Sequence, residues 1–429
     1  MKMKTGMTRI HTASSIFVRR LPSSQGLPGR GLVAAMAALT LVLGGCAGRT
    51  APEAARIDAR ERFAANSAEF AAQQARQDFQ VGNLKNALIN IEGAISLLPT
   101  EPAYHVMRGR VLIELNRLEA ALQSLDAALR LDPNLGDAHY YAGLVYQRWS
   151  DSDNAYTRYA AALNTDETNP DYLLATLETL ISMRRLDEAE HLIESSRQHF
   201  ENNASVKRAQ GHLAMLRDQP AVAAEHFHRA LLLMPDDKSI MEVLVICHMK
   251  AGDHAKAEYY LDQLFKDPEF AARPDLRHLK ALCLTAGNRL VEARAIYLKL
   301  IDEDPSDPQM WFELGSVAYQ LGDMRRVQNV VSRTIAVWPN RFESFMLRGM
   351  MHEREKRLDA AIADYQRACN LRPAHEEPYI LLGMALRARG RSDEAADAFR
   401  TARMIAPESE RARSLLLAGV ETETDGMNR

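Results

Sequence analysis

The stretch EEPYILLGMALRARGRSDEAADAFRTARMIAPES, residues 376–409, contains the pattern that decides the fold. It carries a proline at position 407, and prolines also stand at 99, 133, 235, 305, 339 and 373. Their intervals are 34 residues, three times 34 or, after Pro235, 70. A fixed period of this length indicates a chain built from one repeated structural unit.

Aligning the chain on this period divides residues 68–409 into ten units of 34 residues, with Ala272-Arg273 as the only insertion. The units begin at residues 68, 102, 136, 170, 204, 238, 274, 308, 342 and 376. The twentieth position is Ala in nine of the ten units, and the twenty-fourth is large and apolar in all of them, as in Ala395 and Phe399. Glycine recurs in the first half of six units, at 109, 143, 211, 315, 349 and 383.

This pattern predicts two antiparallel helices per unit. Apolar residues three and four positions apart form one stripe on each helix. Gly and Ala mark the places where two helices approach too closely for a larger side chain, and Gly or Asn near the middle of the unit ends the first helix. One unit cannot bury its stripe alone, so each unit needs its neighbours.

The units closely resemble the tetratricopeptide repeat. Trp311, Leu314, Gly315 and Tyr319 in the eighth unit, and Gly383, Ala395, Phe399, Ala402 and Pro407 in the tenth, match its signature. The fourth and sixth units are degenerate, because they carry Leu177 and Val245 where a small residue is expected and lack the proline. The resemblance implies an all-α fold, a right-handed α-solenoid of about ten 34-residue helix pairs.

The resemblance also implies that the first helices of the units line a concave groove that holds a protein or peptide partner. The lining is markedly apolar and rich in methionine, which adapts to varied partners. The groove positions carried onto this chain are Val106, Ile113, Tyr140, Leu144, Leu174, Ile181, Met215, Ile246, Met249, Leu282, Phe312, Tyr319, Met346, Met350, Ile380 and Met384. Packing between adjacent helices is the alternative role for any one of them.

The first 45 residues have the features of an export signal. The apolar run from Leu32 to Leu43 is too short to span a bilayer. Six basic residues and no acidic residue precede Cys46. The sequence Leu43-Gly44-Gly45-Cys46 resembles the lipobox of bacterial lipoproteins, which implies a mature chain that begins at a lipid-modified Cys46, and Ala47 after it favours transfer to the outer membrane. An ordinary cleaved signal is the alternative.

Charge and motifs exclude several functional classes. Without residues 1–45 the chain has 47 basic and 56 acidic residues, so its net charge is −9, and it lacks the basic footprint of a nucleic-acid-binding protein. We find no phosphate loop, no GxSxG elbow and no HExxH motif. Cys247, Cys283 and Cys369 lie within apolar helical patterns and are predicted to be three separate buried thiols. We therefore expect neither catalysis nor a metal, cofactor or small-molecule substrate.

The expected domain organisation is a signal peptide (1–45), a lipidated Cys46 with a polar tether (46–67), ten repeats (68–409), and a capping helix with a disordered tail (410–429). The expected function is that of a non-enzymatic scaffold anchored in the bacterial outer membrane, facing the periplasm, that binds protein partners in assembly of a pilus or secretion apparatus. Tetratricopeptide lipoproteins of pili and secretins, including that of the Tad (Flp) pilus, are the family members it most resembles. A scaffold for exopolysaccharide export and an adaptor for cell-wall hydrolases are the alternatives.

Overall fold

The computed structural model describes residues 53–411 and 413–415, and no β-strand occurs among them. The predicted signal peptide, Cys46 and the residues up to 52 lie outside this part of the chain, as do residues 416–429 of the predicted tail. The chain divides into two compact units, Met1–Glu61 and Arg62–Arg429. Residues 53–61 of the first unit form the start of a helix, and the described part of the second unit is all-helical.

The helices in chain order are α1 (Glu53–Gln80), α2 (Leu84–Leu97), α3 (Pro102–Glu114), α4 (Leu118–Leu131), α5 (Gly136–Arg148), α6 (Ser152–Thr165), α7 (Pro170–Ser182), α8 (Leu186–Ser195), α9 (Arg197–Phe200), α10 (Ala204–Leu216), α11 (Pro220–Leu233), α12 (Lys238–Ala251), α13 (His254–Leu264), α14 (Pro268–Ala272), α15 (Pro274–Ala286), α16 (Leu290–Glu303), α17 (Pro308–Gln320), α18 (Met324–Val337), α19 (Phe342–Arg354), α20 (Leu358–Leu371), α21 (Glu376–Ala388) and α22 (Ser392–Ile405). From α3 onward, the first helix of every unit begins at the residue where the 34-residue period places it. The expected all-α solenoid of helix pairs is thus confirmed.

Three places depart from a simple pair. Helix α1 begins at Glu53, inside the segment expected to be a tether, and is about twice as long as the other first helices. In the degenerate fourth unit the second helix is interrupted at Ser196. In the sixth unit Pro268 cannot continue α13, and Asp267 instead caps a separate short helix by accepting a hydrogen bond from the Glu269 amide.

The small residues of the first helices have the role that the pattern predicts. A Cβ atom added to Gly349 would lie 2.5 Å from the ring of Tyr365, and one added to Gly143 would lie 2.6 Å from the ring of Tyr159. In both pairs the large residue belongs to the second helix of the same unit, sixteen positions later. Glycine at this position therefore sets the distance between the two helices of a unit. The core is a row of apolar clusters along the repeats.

The turn between the two helices has the same backbone conformation in every unit. Its fifteenth residue has a positive φ, between 56° and 83°, and in six units that residue is not glycine. The six are Asn116, Ser150, Arg184, Asp218, Asn288 and Lys356. Asn and Asp tolerate this left-handed region, whereas Ser, Arg and Lys adopt it at a cost.

Replacing Arg184 or Lys356 with glycine should therefore stabilise the protein. A left-handed conformation disfavours a long side chain by about 1–2 kcal/mol, and the extra freedom of glycine in the unfolded chain offsets part of this. We expect a net gain of about 0.5–1 kcal/mol in the free energy of unfolding, measured by urea denaturation. The control is Lys299→Gly on the exposed side of α16, where glycine should destabilise the helix by about 1 kcal/mol. Equal effects at all three sites would contradict this account.

Candidate functional site

The first helices of consecutive units share one surface, formed by positions 5, 9 and 12 of each unit; we call it the first-helix face. Neighbouring units contact each other along it. The rings of Tyr140 in α5 and Tyr172 in α7 lie 5.5 Å apart between centroids. The Arg354 guanidinium of α19 lies over the ring of Tyr319 in α17 and donates a hydrogen bond of 3.0 Å to its backbone carbonyl. All sixteen predicted groove residues occupy this face.

The structure divides these sixteen residues by exposure. Twelve are half-buried and offer part of their surface to a partner. The other four, Val106, Ile113, Phe312 and Ile380, are buried, with Ile380 only 1% exposed and Phe312 8% exposed. For Phe312 and Ile380 the prediction of a partner-binding role is corrected, because neighbouring helices already cover their side chains. Position 5 faces the next unit, so a large residue there packs between units.

Position 12 is matched to the large residue at position 24 of the same unit. The Tyr159 hydroxyl donates a hydrogen bond to Gln147 Oε1 at 2.7 Å, and the Tyr365 hydroxyl donates one to Glu353 Oε2 at 3.0 Å. Both tyrosines are buried, so their hydroxyls need such a partner. A polar residue interrupts the first-helix face at these points because it satisfies the core beneath, and not because a ligand requires it.

Where position 24 has no hydroxyl, position 12 can be apolar. Ile181 packs against the cluster that contains Ile193, and Met215 and Met249 pack against the cluster that contains Phe227 and Leu261. Ile181, Met215 and Met249 are half-buried, so these three predicted groove residues serve the core with one side and can contact a partner with the other.

The middle of the first-helix face is charged, which corrects the expectation of a uniformly apolar lining. Glu178, Arg208, His212, Glu242 and His278 occupy positions 5 and 9 of the fourth to seventh units. The Glu178 carboxyl and the His212 ring are accessible to solvent, yet the surrounding helices raise the pKa of Glu178 and lower that of His212 by displacing water. Arg208 lowers both pKa values. Access to solvent combined with protein on most sides is typical of a concave surface.

The apolar part of the face is concentrated at its two ends. Met346, Met350 and Met384 lie half-buried against the cluster formed by the ninth and tenth units. At the opposite end, the ring of Tyr140 contacts the rings of Tyr141 and Tyr172, with centroids 5.2 and 5.5 Å away. Burial raises the pKa of Tyr140 to about 12, so its hydroxyl stays neutral.

The three cysteines are buried and unpaired, which confirms the prediction of separate core thiols. Burial raises the pKa of Cys247 to about 11 and those of Cys283 and Cys369 to about 12, so all three stay protonated at neutral pH. Cys247 Sγ lies 3.4 Å from Met215 Sδ, and Cys283 Sγ lies 3.3 Å from Met249 Sδ. These contacts support the apolar face from below.

Reasoning from sequence missed Arg110, at position 9 of the second unit, because it considered only apolar groove positions. The signal was present: Phe79 and Tyr141 stand 31 residues on either side of Arg110, on the two adjacent first helices. Within residues 53–411 and 413–415 there is no group of three or more His, Cys, Asp or Glu side chains suited to a metal ion. Nor is any helix of this region long and apolar enough to cross a membrane.

Sequence comparison finds repeat families and individual relatives. The family described as "TPR repeat" matches residues 109–148, and that described as "Tetratricopeptide repeat" matches 208–269, 286–326 and 312–376. The type IV pilus assembly protein PilF of Pseudomonas aeruginosa is 26% identical over 160 residues, which are 37% of this chain and 64% of PilF. The human protein O-mannosyl-transferase TMTC3 is 24% identical over 276 residues, 61% of this chain and 29% of TMTC3.

The aligned segments span less than two thirds of each of these relatives. Among solved structures, PilW, described as a widely conserved type IV pilus biogenesis factor, has 17% sequence identity and a TM-score of 0.43, and the match covers 49% of this chain and 96% of PilW. The matched families, together with helix pairs that begin at the 34-residue period, show that this chain is a tetratricopeptide repeat protein.

Proposed function

We propose that this protein is a non-enzymatic scaffold, anchored in the bacterial outer membrane through Cys46, that binds a polypeptide partner on its first-helix face during assembly of a pilus or secretion apparatus. Tetratricopeptide repeat proteins bind protein or peptide partners. The printed role of PilF, type IV pilus assembly, supports the choice of apparatus.

The observation that carries the proposal is the half-buried methionine surface of Met346, Met350 and Met384. These side chains are flexible and polarizable, so they fit a partner of irregular shape. They lie on two successive first helices, α19 and α21, and so present one continuous area. Apolar contact area of this kind, at the end of a face whose middle is charged, suits a polypeptide segment that is itself amphipathic.

Anchoring follows from the sequence. The lipobox-like Leu43-Gly44-Gly45-Cys46 provides an attachment point, and at least two acyl chains are needed for stable membrane binding. Seven residues separate Cys46 from the start of α1 at Glu53, which, fully extended, reach about 25 Å. The repeats would therefore lie close to the membrane surface, where envelope machines are assembled.

Replacing Met346, Met350 and Met384 together with serine should abolish capture of the native partner, because removal of several buried anchors from an interface costs about 2 kcal/mol or more for each strong one. Phe312 is kept, since its burial means that serine there would disturb the packing of the repeats. The measurement is a crosslinked pull-down from detergent-solubilised envelope at low and high salt, with the captured proteins identified by mass spectrometry.

The matched control replaces Val291, Val337 and Met404, exposed apolar residues of second helices, with serine and should leave capture unchanged. Capture of a secretin or pilus subunit by the wild type, with loss only in the methionine variant, is the expected result. High salt should weaken capture only slightly, because apolar burial is not screened. Capture of a polysaccharide synthase or a cell-wall hydrolase instead would replace the proposed apparatus with one of the alternatives.

A further inference from the structure

The guanidinium of Arg110 is held between two aromatic rings on the first-helix face. Its Cζ atom lies 5.2 Å from the centroid of Phe79 and 5.0 Å from that of Tyr141. The three residues belong to α1, α3 and α5, the first helices of three successive units. Stacking on both faces leaves the guanidinium edge as the only part free to donate hydrogen bonds, and it fixes the orientation of that edge.

A pocket of about 130 Å³ opens beside this arginine. Its wall consists of Phe79, Arg110, Ile113, Glu114, Tyr141 and Leu144. The wall is mostly apolar, with Arg110 as its cationic group, so the pocket suits a short side chain that has an apolar stem and a polar end. A whole terminal residue, with its own side chain as well as its carboxylate, needs more room.

The charge of Arg110 has no partner within the described part of the chain. Its Nε atom is buried and makes no hydrogen bond there, and none of the described carboxylates forms an ion pair with it. Glu114, the one acid in the pocket wall, lies with its Oε1 3.6 Å from Nη2 of Arg148. Arg148 in turn donates a hydrogen bond of 2.7 Å to the Ile113 carbonyl. The negative charge of Glu114 is therefore already matched by Arg148.

Other arginines of this region are paired in the usual way. Arg108, on the same helix, donates hydrogen bonds to Glu92 and to Ser124. A buried cationic donor without an acceptor is unfavourable, and buried polar groups in folded proteins nearly always have a partner. The missing acceptor at Arg110 is therefore the feature that a ligand can supply.

We propose that the pocket beside Arg110 binds the carboxylate of an Asp or Glu side chain of the polypeptide partner, with its methylene groups against Leu144 and Ile113. Because the two rings already hold the guanidinium in place, little rotamer freedom is lost on binding. The hydrogen bonds are charge-assisted and partly shielded from water, which strengthens them. The inference rests on the proposed function, since the carboxylate belongs to the partner held by the first-helix face.

The test uses the full chain in detergent and fluorescein-labelled hexapeptide amides of the form Gly-Ala-X-Leu-Ala-Gly, in which X is Glu or Gln. The Glu peptide should bind about tenfold more tightly than the Gln peptide by fluorescence anisotropy, as expected for hydrogen bonds to a charged group. Arg110→Gln should remove this preference, and Arg110→Lys should restore only part of it, because lysine lacks the planar fork. Arg130→Gln, on the exposed side of α4, is the matched control and should keep the preference.

A second variant guards against loss of folding. Tyr141→Leu keeps the charge of Arg110 but removes one ring, and it should weaken the Glu peptide several-fold while helical content, measured by circular dichroism, stays the same. Equal binding of the Glu and Gln peptides to the wild type, or an Arg110→Gln variant that keeps the preference, would overturn the inference. Binding only of a Gln peptide with a free terminal carboxylate would overturn it as well.

These outcomes are separate from those of the partner-capture experiment. If the peptides show no preference but the Met346, Met350 and Met384 variant still loses the partner, only the acidic-side-chain site fails. If the Glu preference is present but the wild-type chain captures no envelope protein, the proposed function fails and the site must serve another acidic ligand.

Discussion

Gly349→Leu should destabilise the ninth unit by about 3 kcal/mol, toward the upper end of what overpacking of a core typically costs. Even a Cβ atom at this position would lie 2.5 Å from the Tyr365 ring. That ring is fully buried, and its hydroxyl is held by Glu353, so it cannot move aside without breaking the hydrogen bond. The two helices α19 and α20 must therefore separate. Urea denaturation followed by circular dichroism measures the effect.

The damage should stay close to the ninth unit, because in a solenoid each repeat contacts only its neighbours. Hydrogen exchange read by mass spectrometry should show faster exchange in α19, α20 and the adjoining helices, with little change in α3 to α6. Gly93→Leu is the matched control, since a Cβ atom at that glycine of α2 would have no atom within 4 Å. It should be neutral or stabilising by up to about 1 kcal/mol. Uniform loss of protection along the chain would indicate one global core instead.

Cys46→Ser should move the protein almost completely from the membrane to the soluble periplasmic fraction. The thiol is the proposed site of acylation, and each buried methylene of an acyl chain contributes about 0.8 kcal/mol to membrane binding. Two or more chains therefore hold the protein essentially permanently, whereas their loss leaves a chain with a net charge of −9 and no other proposed anchor. The measurement is fractionation of the envelope, combined with incorporation of labelled palmitate.

The control for this experiment is Thr50→Ser, four residues after the cysteine, which keeps the thiol and should keep both the label and the membrane location. A Cys46→Ser variant that still sediments with the outer membrane would show that the lipobox interpretation is wrong. A wild-type protein that is soluble and carries no label would favour the ordinary cleaved signal.

Reasoning from sequence about the site was less complete than reasoning about the repeats. All the predicted groove residues lie on one face, since positions 5, 9 and 12 recur with helical spacing. Their exposure was not predictable, however, because it depends on the size of residues in neighbouring units. Phe312 and Ile380 were predicted to meet a partner, and the structure buries both between helices.

The sequence by itself determined the repeat register of this protein. Prolines, small residues and large apolar residues recur every 34 positions, and helix starts and the Gly349–Tyr365 contact follow, because they depend on residues of one unit, close together in the chain. Only the tertiary structure decided which groups are left without partners. Arg110 meets Phe79 and Tyr141 across three units, and its unpaired Nε depends on Glu114 being matched by Arg148. Such pairings depend on the stacking of successive helices, which brings together side chains about 31–35 residues apart that no local pattern connects.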